Sequence, residues 1–206
     1  MKRSIFLERF MTGCSTVAFL AAYTAFFCGL VGNAVAANGT PYYLDVNGAT
    51  PGFGDPVNTT YAHTGNNWTT NSAGTDTTTN APLSAQYTFG YPGTAGISNS
   101  VFSFTVNDHM KGVVVSVPCT ATWSGGGYCW NGDTVWSVVK DATLNITGSN
   151  MNYNNTRPVL MGEGTINVNG TSFGRNVPDS LWFVQNMTNG VVNLTSACTD
   201  SALTTR

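Results

Sequence analysis

The 206 residues allow one domain plus a targeting segment, and only 9% of them are charged against an average of about 25%. A formal net charge of −2 with no basic cluster argues against nucleic acid or an anionic membrane surface as partner. Hydrophobic residues at 42% and aromatics at 12% argue against disorder, and the wealth of Gly, Asn and Thr argues against helix, which leaves strands joined by turns.

The chain opens on an export pattern. Lys2, Arg3 and Arg9 form a positive segment, an apolar run follows from Thr16 to Val31, and Ala34-Val35-Ala36 supplies the small-x-small motif of a signal peptidase site. At about 16 residues the apolar run is short for a membrane span, which needs about 20. Residues 1–36 therefore read as a signal peptide, cleaved after Ala36 or Ala37. The remainder keeps one Glu and eight Asp against two Lys and three Arg, a net charge of −4. No second apolar run reaches spanning length, so no membrane span is expected in the mature chain.

Residues 37–100 are rich in Asn, Thr and Gly with scattered aromatics, and read as an N-terminal cap with irregular first coils. Within them, Asp45-Val-Asn-Gly48 is a fragment of an oxygen-rich loop, but it lacks the spacing and closing Glu of an EF-hand. Farther on, Asp108-His109-Met110-Lys111 reads as a polar turn between strands at 101–106 and 113–117. His63 is the other mature histidine. No Gly-x-Ser-x-Gly occurs, and neither histidine has a nucleophile suggested by spacing.

Three cysteines follow the cleavage site. Cys119 and Cys129 flank a Gly-rich turn, where a hairpin disulfide would stabilise by about 2–3 kcal/mol. Two buried thiols satisfy the same spacing. Cys198 is left over. Trp123, Tyr128 and Trp130 lie on the same segment and admit two readings: packing of the turn, or a platform for stacking sugar rings.

From residue 101 onward the chain repeats. Ala142-Thr-Leu-Asn-Ile-Thr-Gly148, Gly164-Thr-Ile-Asn-Val-Asn-Gly170 and Gly190-Val-Val-Asn-Leu-Thr-Ser196 align without gaps. Each places Asn between two apolar residues, a period of two that turns Leu144/Ile146, Ile166/Val168 and Val192/Leu194 one way and Asn145, Asn167 and Asn193 the other. A second similarity precedes each copy, at Trp136-Ser-Val-Val139, Arg157-Pro-Val-Leu160 and Leu181-Trp-Phe-Val184. Val113-Val-Val-Ser-Val117, preceded by Phe102-Ser-Phe-Thr-Val106, reads as a weaker fourth copy. One such unit cannot bury its apolar face alone, whereas stacked units can. The expected fold is all-β, a right-handed parallel β-helix over 101–206, with a β-sandwich as the alternative.

Two stretches resemble a known family. Tyr42-Tyr-Leu-Asp-Val-Asn-Gly-Ala-Thr-Pro-Gly-Phe-Gly54 with Asn67-Trp68, and Gly162-Glu-Gly-Thr-Ile-Asn-Val-Asn-Gly170, are similar to segments of autotransporter-associated β-strand repeat proteins. The resemblance covers residues 40–70 and 138–196. It implies a secreted or cell-surface β-helical passenger region and supplies no catalytic residues.

Three functions follow as expectations. The first is a non-catalytic surface adhesin or structural module facing an extracellular carbohydrate or a host or cell-surface component, with no metal or cofactor. The second is a carbohydrate-active β-helix enzyme, for which Lys140, Asp141, Arg157 and Glu163 fall near stacked positions. The third is a fragment of a longer autotransporter-like protein. Asn67, Asn145, Asn186 and Asn193 begin Asn-x-Thr sequons, which composition alone explains.

Overall fold

The computed structural model describes residues 39–106, 110–125, 128–130, 134–147, 151–154, 158–169, 173–175 and 184–195, all within one unit, Ala36–Arg206. Residues 1–38, Asp108, His109, Arg157 and Cys198 lie outside these residues.

Sixteen short strands and no helix make up the described residues. The first eight are β1 (Pro41–Leu44), β2 (Thr60–Ala62), β3 (Trp68–Thr69), β4 (Gln86–Phe89), β5 (Val101–Thr105), β6 (Gly112–Val115), β7 (Thr120–Trp123) and β8 (Tyr128–Trp130). The rest are β9 (Thr134–Val138), β10 (Thr143–Ile146), β11 (Met151–Asn154), β12 (Pro158–Gly162), β13 (Thr165–Val168), β14 (Phe173–Arg175), β15 (Val184–Met187) and β16 (Val191–Leu194). They form a seven-stranded sheet β15-β12-β9-β6-β4-β1-β3, a six-stranded sheet β16-β13-β10-β7-β5-β2 and a three-stranded sheet β14-β11-β8.

Among the described strands every pairing is parallel except that of β1 with β3. The parallel pairing sets the β-sandwich alternative aside, because sandwiches are built from antiparallel hairpins and Greek keys. From β7 on, the chain visits the six-stranded, three-stranded and seven-stranded sheets in turn, three times over, before returning to the first of these in β16. Parallel neighbours need a long return path, and the two intervening sheets supply it.

The register matches the repeat. Leu144 pairs with Ile166 and Ile166 with Val192, while Asn145, Asn167 and Asn193 fall in one row. The same row continues upstream through Thr122 and Ser103, so β7 is the strand that precedes the three look-alike copies in this sheet. The expected fourth copy is therefore corrected. Val113–Val115 belongs to the seven-stranded sheet and Phe102–Phe104 to the six-stranded one, the reverse of the expected assignment. The second similarity is also shifted: Leu160 pairs with Trp136, and Val159 with Val184. Apolar runs such as Val113-Val-Val put the same residue type on inward and outward positions, with Val114 only partly buried between Val113 and Val115, and carry no period in sequence to fix their alignment, whereas the alternating Leu-Asn-Ile pattern does.

Parallel stacking also reaches upstream of residue 101, since β1 pairs with β4 and β2 with β5. The core there is aromatic. Trp68, Tyr87, Phe89, Phe102, Phe104, Trp123 and Trp136 are fully buried, with ring centroids 4.7–6.4 Å apart in the contacts among them. Later strands of the same two sheets fill the equivalent positions with Leu144, Ile146, Leu160, Ile166 and Val168. Bulk alternates along one column, where Phe102 meets Ala121 and Ala121 meets Leu144, so large and small side chains fit over one another.

Corners between the seven-stranded and six-stranded sheets are short and chemically demanding. Asp141, Asn189 and Gly162 have φ of 63°, 60° and 105°, values that Asn, Asp and Gly reach most easily. Gly164 is needed for space: a Cβ there would lie 2.3 Å from the carbonyl oxygen of Val139. The Gly-x-Gly-Thr motif of Gly162–Thr165 is thus the sequence form of the tightest corner.

The Asp45 loop stores a titratable cost. Asp45 Oδ1 accepts the backbone N–H groups of Asn47 and Gly48, both at 3.1 Å, an Asx turn. Oδ2 is buried with no partner. Burial raises the Asp45 pKa above the ordinary carboxyl value, and the two N–H groups offset part of that rise. Because the folded value lies above the unfolded one, the folded state holds the extra proton. Stability from this group is greatest below the ordinary carboxyl range and is lost as pH rises through the folded value. Asp45→Asn keeps the Oδ1 acceptor and removes the charge. Its melting temperature relative to the parent is expected to be higher at pH 7 than at pH 4; an equal difference at both pH values would show that the carboxylate carries no burial cost.

Candidate functional site

The candidate site is the outer face of the six-stranded sheet, and the alternation of each strand builds it. Inward positions are apolar, so every second residue points out. One outward row runs Ser103, Thr122, Asn145, Asn167 and Asn193. To one side lies a row of β-branched residues, Val101, Thr120, Thr143, Thr165 and Val191. On the other side Thr147, Asn169 and Thr195 continue the strands by one residue and keep the ladder, their backbone N–H groups bonding Trp123, Ile146 and Val168 at 2.8–3.0 Å. None of these positions carries a titratable side chain.

The asparagines bond along the stack. Asn193 Nδ2 donates to Asn167 Oδ1 and Asn167 Nδ2 to Asn145 Oδ1, both at 2.8 Å. Asn145 Nδ2 donates to Thr122 Oγ1 at 3.3 Å. The bonded residues are 26, 22 and 23 positions apart in sequence and lie on neighbouring parallel strands. Parallel, in-register strands bring identical amides into line, which is the geometry such ladders require. A recess of about 600 Å³ opens along this face, lined by Thr122, Asn145, Thr147, Asn167, Asn169, Asn193 and Thr195 with parts of Val192 and Leu194.

The sequence pointed to the asparagine row but not to its neighbours. Thr147, Asn169 and Thr195 were legible only as the Thr of an Asn-x-Thr sequon in two copies, Asn145-Ile-Thr147 and Asn193-Leu-Thr195. Their shared spacing of two from the ladder asparagine was the available signal.

The other expected site is corrected. Trp123 is fully buried; it stacks on Phe104 with centroids 6.2 Å apart, meets Trp136 edge-on at 6.0 Å, and donates Nε1–H to the carbonyl of Val106 at 3.2 Å. No face of the indole is open to a sugar. It points inward because it holds the same alternation position as Ile146. Tyr128 and Trp130 lie on β8, and their side chains are outside the described residues.

The Cys119–Cys129 disulfide is also corrected: Cys119 is a free, buried thiol. The Gly-rich segment between the cysteines is not a hairpin turn. It carries the chain from β7 in the six-stranded sheet to β8 in the three-stranded one, so the flanking strands are not partners. Cys119 instead lies beside Ala142, each immediately before the paired Thr120 and Thr143 of β7 and β10. Burial pushes its pKa up to about 12, which leaves almost no thiolate at neutral pH. In the folded protein Cys119 is expected to resist iodoacetamide at pH 8 and to react after denaturation. Rapid labelling of the folded chain at Cys119 would contradict this placement.

Lys140, Asp141 and Glu163 are exposed residues on the short corners. Among the described residues no group of three or more His, Cys, Asp or Glu lies together, and no helix is long and apolar enough to cross a membrane. Comparison with protein-family models, curated proteins and solved structures gives no match to this chain.

Proposed function

We propose that this chain is an exported, non-catalytic module, a right-handed parallel β-helix of the passenger type, that works at the cell surface or outside the cell as an adhesin or structural binding element. The observation that carries the reading is the asparagine ladder, in which amides one coil apart bond at 2.8 Å on an outward face free of titratable groups. Neutral amides and hydroxyls neither transfer protons at ordinary pH nor act as strong nucleophiles, but they bind polar surfaces well. The order in which the chain visits its sheets supports a coil, and right-handed crossovers are the rule for parallel strands. The export pattern of residues 1–36 supports a location beyond the inner membrane.

The test is expression of the full chain in a bacterium with a periplasm. The expected product begins at residue 37 or 38 by intact mass and binds at least one cell type or glycan surface. A cytoplasmic, unprocessed chain that binds no surface would overturn the proposal.

A further inference from the structure

From the chemistry of the outer face we infer that its ligand is a neutral, linear polysaccharide lying along the asparagine ladder, parallel to the direction of stacking. This rests on the reading of the chain as a binding module and names what it binds.

The first argument is charge. A polyanion would find no cation on the face and a polycation no carboxylate, because the outward rows hold only Thr, Asn, Ser and Val. Electrostatic complementarity therefore selects an uncharged partner. The second is hydrogen-bonding capacity. An amide offers two N–H donors and two carbonyl lone pairs. In the ladder Asn167 spends one donor on Asn145 and one lone pair on Asn193. One N–H and one lone pair remain, a matched donor and acceptor repeated at about the 4.8 Å strand spacing. Hydroxyls both donate and accept, so a chain that presents hydroxyls at regular intervals fits this row, whereas an isolated small molecule uses only one step of it.

The third argument is shape. The recess of about 600 Å³ follows the ladder and lies within the range of ligand sites, about 300–1,000 Å³. On the other side of the ladder from Thr147, Asn169 and Thr195 runs the β-branched row, with Thr165 partly exposed and Val191 49% exposed. Their methyl groups give a sugar's C–H face an apolar contact without an aromatic ring.

The experiment is affinity gel electrophoresis of the full secreted chain through soluble neutral β-glucan and galactomannan, with alginate as the anionic comparison. The parent is expected to be retarded by at least one neutral polymer, and to the same degree at low and high salt. The triple variant Asn145→Val, Asn167→Val, Asn193→Val, checked by circular dichroism for retained strand content, is expected to bind at least about tenfold more weakly. Asn193→Val alone gives up one ladder bond and guards against a misfolded triple variant; it is expected to show a partial loss. Retardation of a folded triple variant equal to that of the parent overturns the inference, as does binding to alginate alone that fades with salt. Binding to cells without binding to either neutral polymer overturns the inference and leaves the proposed function standing. Binding to neither overturns both.

Discussion

Replacing Gly162 with alanine is expected to destabilise the fold by about 2–5 kcal/mol, the sum of a backbone penalty and an overpacking penalty. Gly162 has φ of 105°, and a Cβ built on it would lie 2.1 Å from the carbonyl oxygen of Val138 and 2.9 Å from its carbonyl carbon. Those atoms belong to the backbone of the neighbouring coil, which pairs with β12 through Gly162 and Val138 themselves. No rotamer change can open the space. Relief requires moving one coil from the next, and that breaks the register of both flanking sheets. Gly48 provides the control. Its φ is 64°, but nothing lies within 4 Å of a Cβ placed there. Gly48→Ala is expected to cost only the backbone term, about 1 kcal/mol. Urea unfolding of the two variants measures the difference directly. Equal midpoints would mean that the coils at Gly162 are not in close contact.

Truncating Trp123 to alanine is expected to cost about 3–5 kcal/mol. The indole is fully buried between Phe104 of the preceding coil and Trp136 across the interior. Its loss leaves a cavity bordered by rings that cannot rotate to fill it, and leaves the Val106 carbonyl without the indole donor. Trp123→Phe keeps most of the bulk and loses the donor, so a cost of about 1–2 kcal/mol is expected. A surface platform for sugars would behave in the opposite way, with stability unchanged and binding lost. Measuring stability and polysaccharide binding on the same variant separates the two roles. An unchanged unfolding midpoint for Trp123→Ala would contradict the buried position.

These two residues also show where the sequence was readable. Leu144, Asn145 and Ile146 alternate strictly, and a one-residue slip would turn the asparagine inward and the aliphatic side chains outward. That penalty made the register of β10, β13 and β16 legible from the residues alone. Uniformly apolar runs carry no such signal in sequence, even where burial alternates, as it does at Val113, Val114 and Val115. Val113 to Val115 fits either sheet, so its assignment was reversed, and Leu160 was aligned without the periodicity needed to place it against Trp136. Trp123 admits two readings in sequence for a related reason. Its neighbours Ser124 and Gly125 suggest an exposed turn, but its position two residues after Ala121 places it on the inward face of β7, opposite Ile146. Cys119 and Cys129 resemble a hairpin staple in sequence because the nine residues between them, Gly-rich near their end, suit a hairpin. Only the three-sheet path shows that the same segment turns a corner. The outward hydroxyl row of Thr147 and Thr195 was hidden by a coincidence of composition, since a chain so rich in Asn and Thr produces sequons without meaning.

Stacking of the asparagine-bearing strands, parallel and in register, carries everything said about the face and its ligand. Isotope-edited NMR of the full chain tests it most directly, through cross-strand contacts among residues 143–146, 165–168 and 191–194. Expected are parallel-sheet contacts that join Leu144 to Ile166 and Ile166 to Val192, together with side-chain amide contacts from Asn145 to Asn167 and from Asn167 to Asn193. Close Hα–Hα pairs of the antiparallel kind between these strands, or an absence of contacts between the asparagine side chains, would contradict the account.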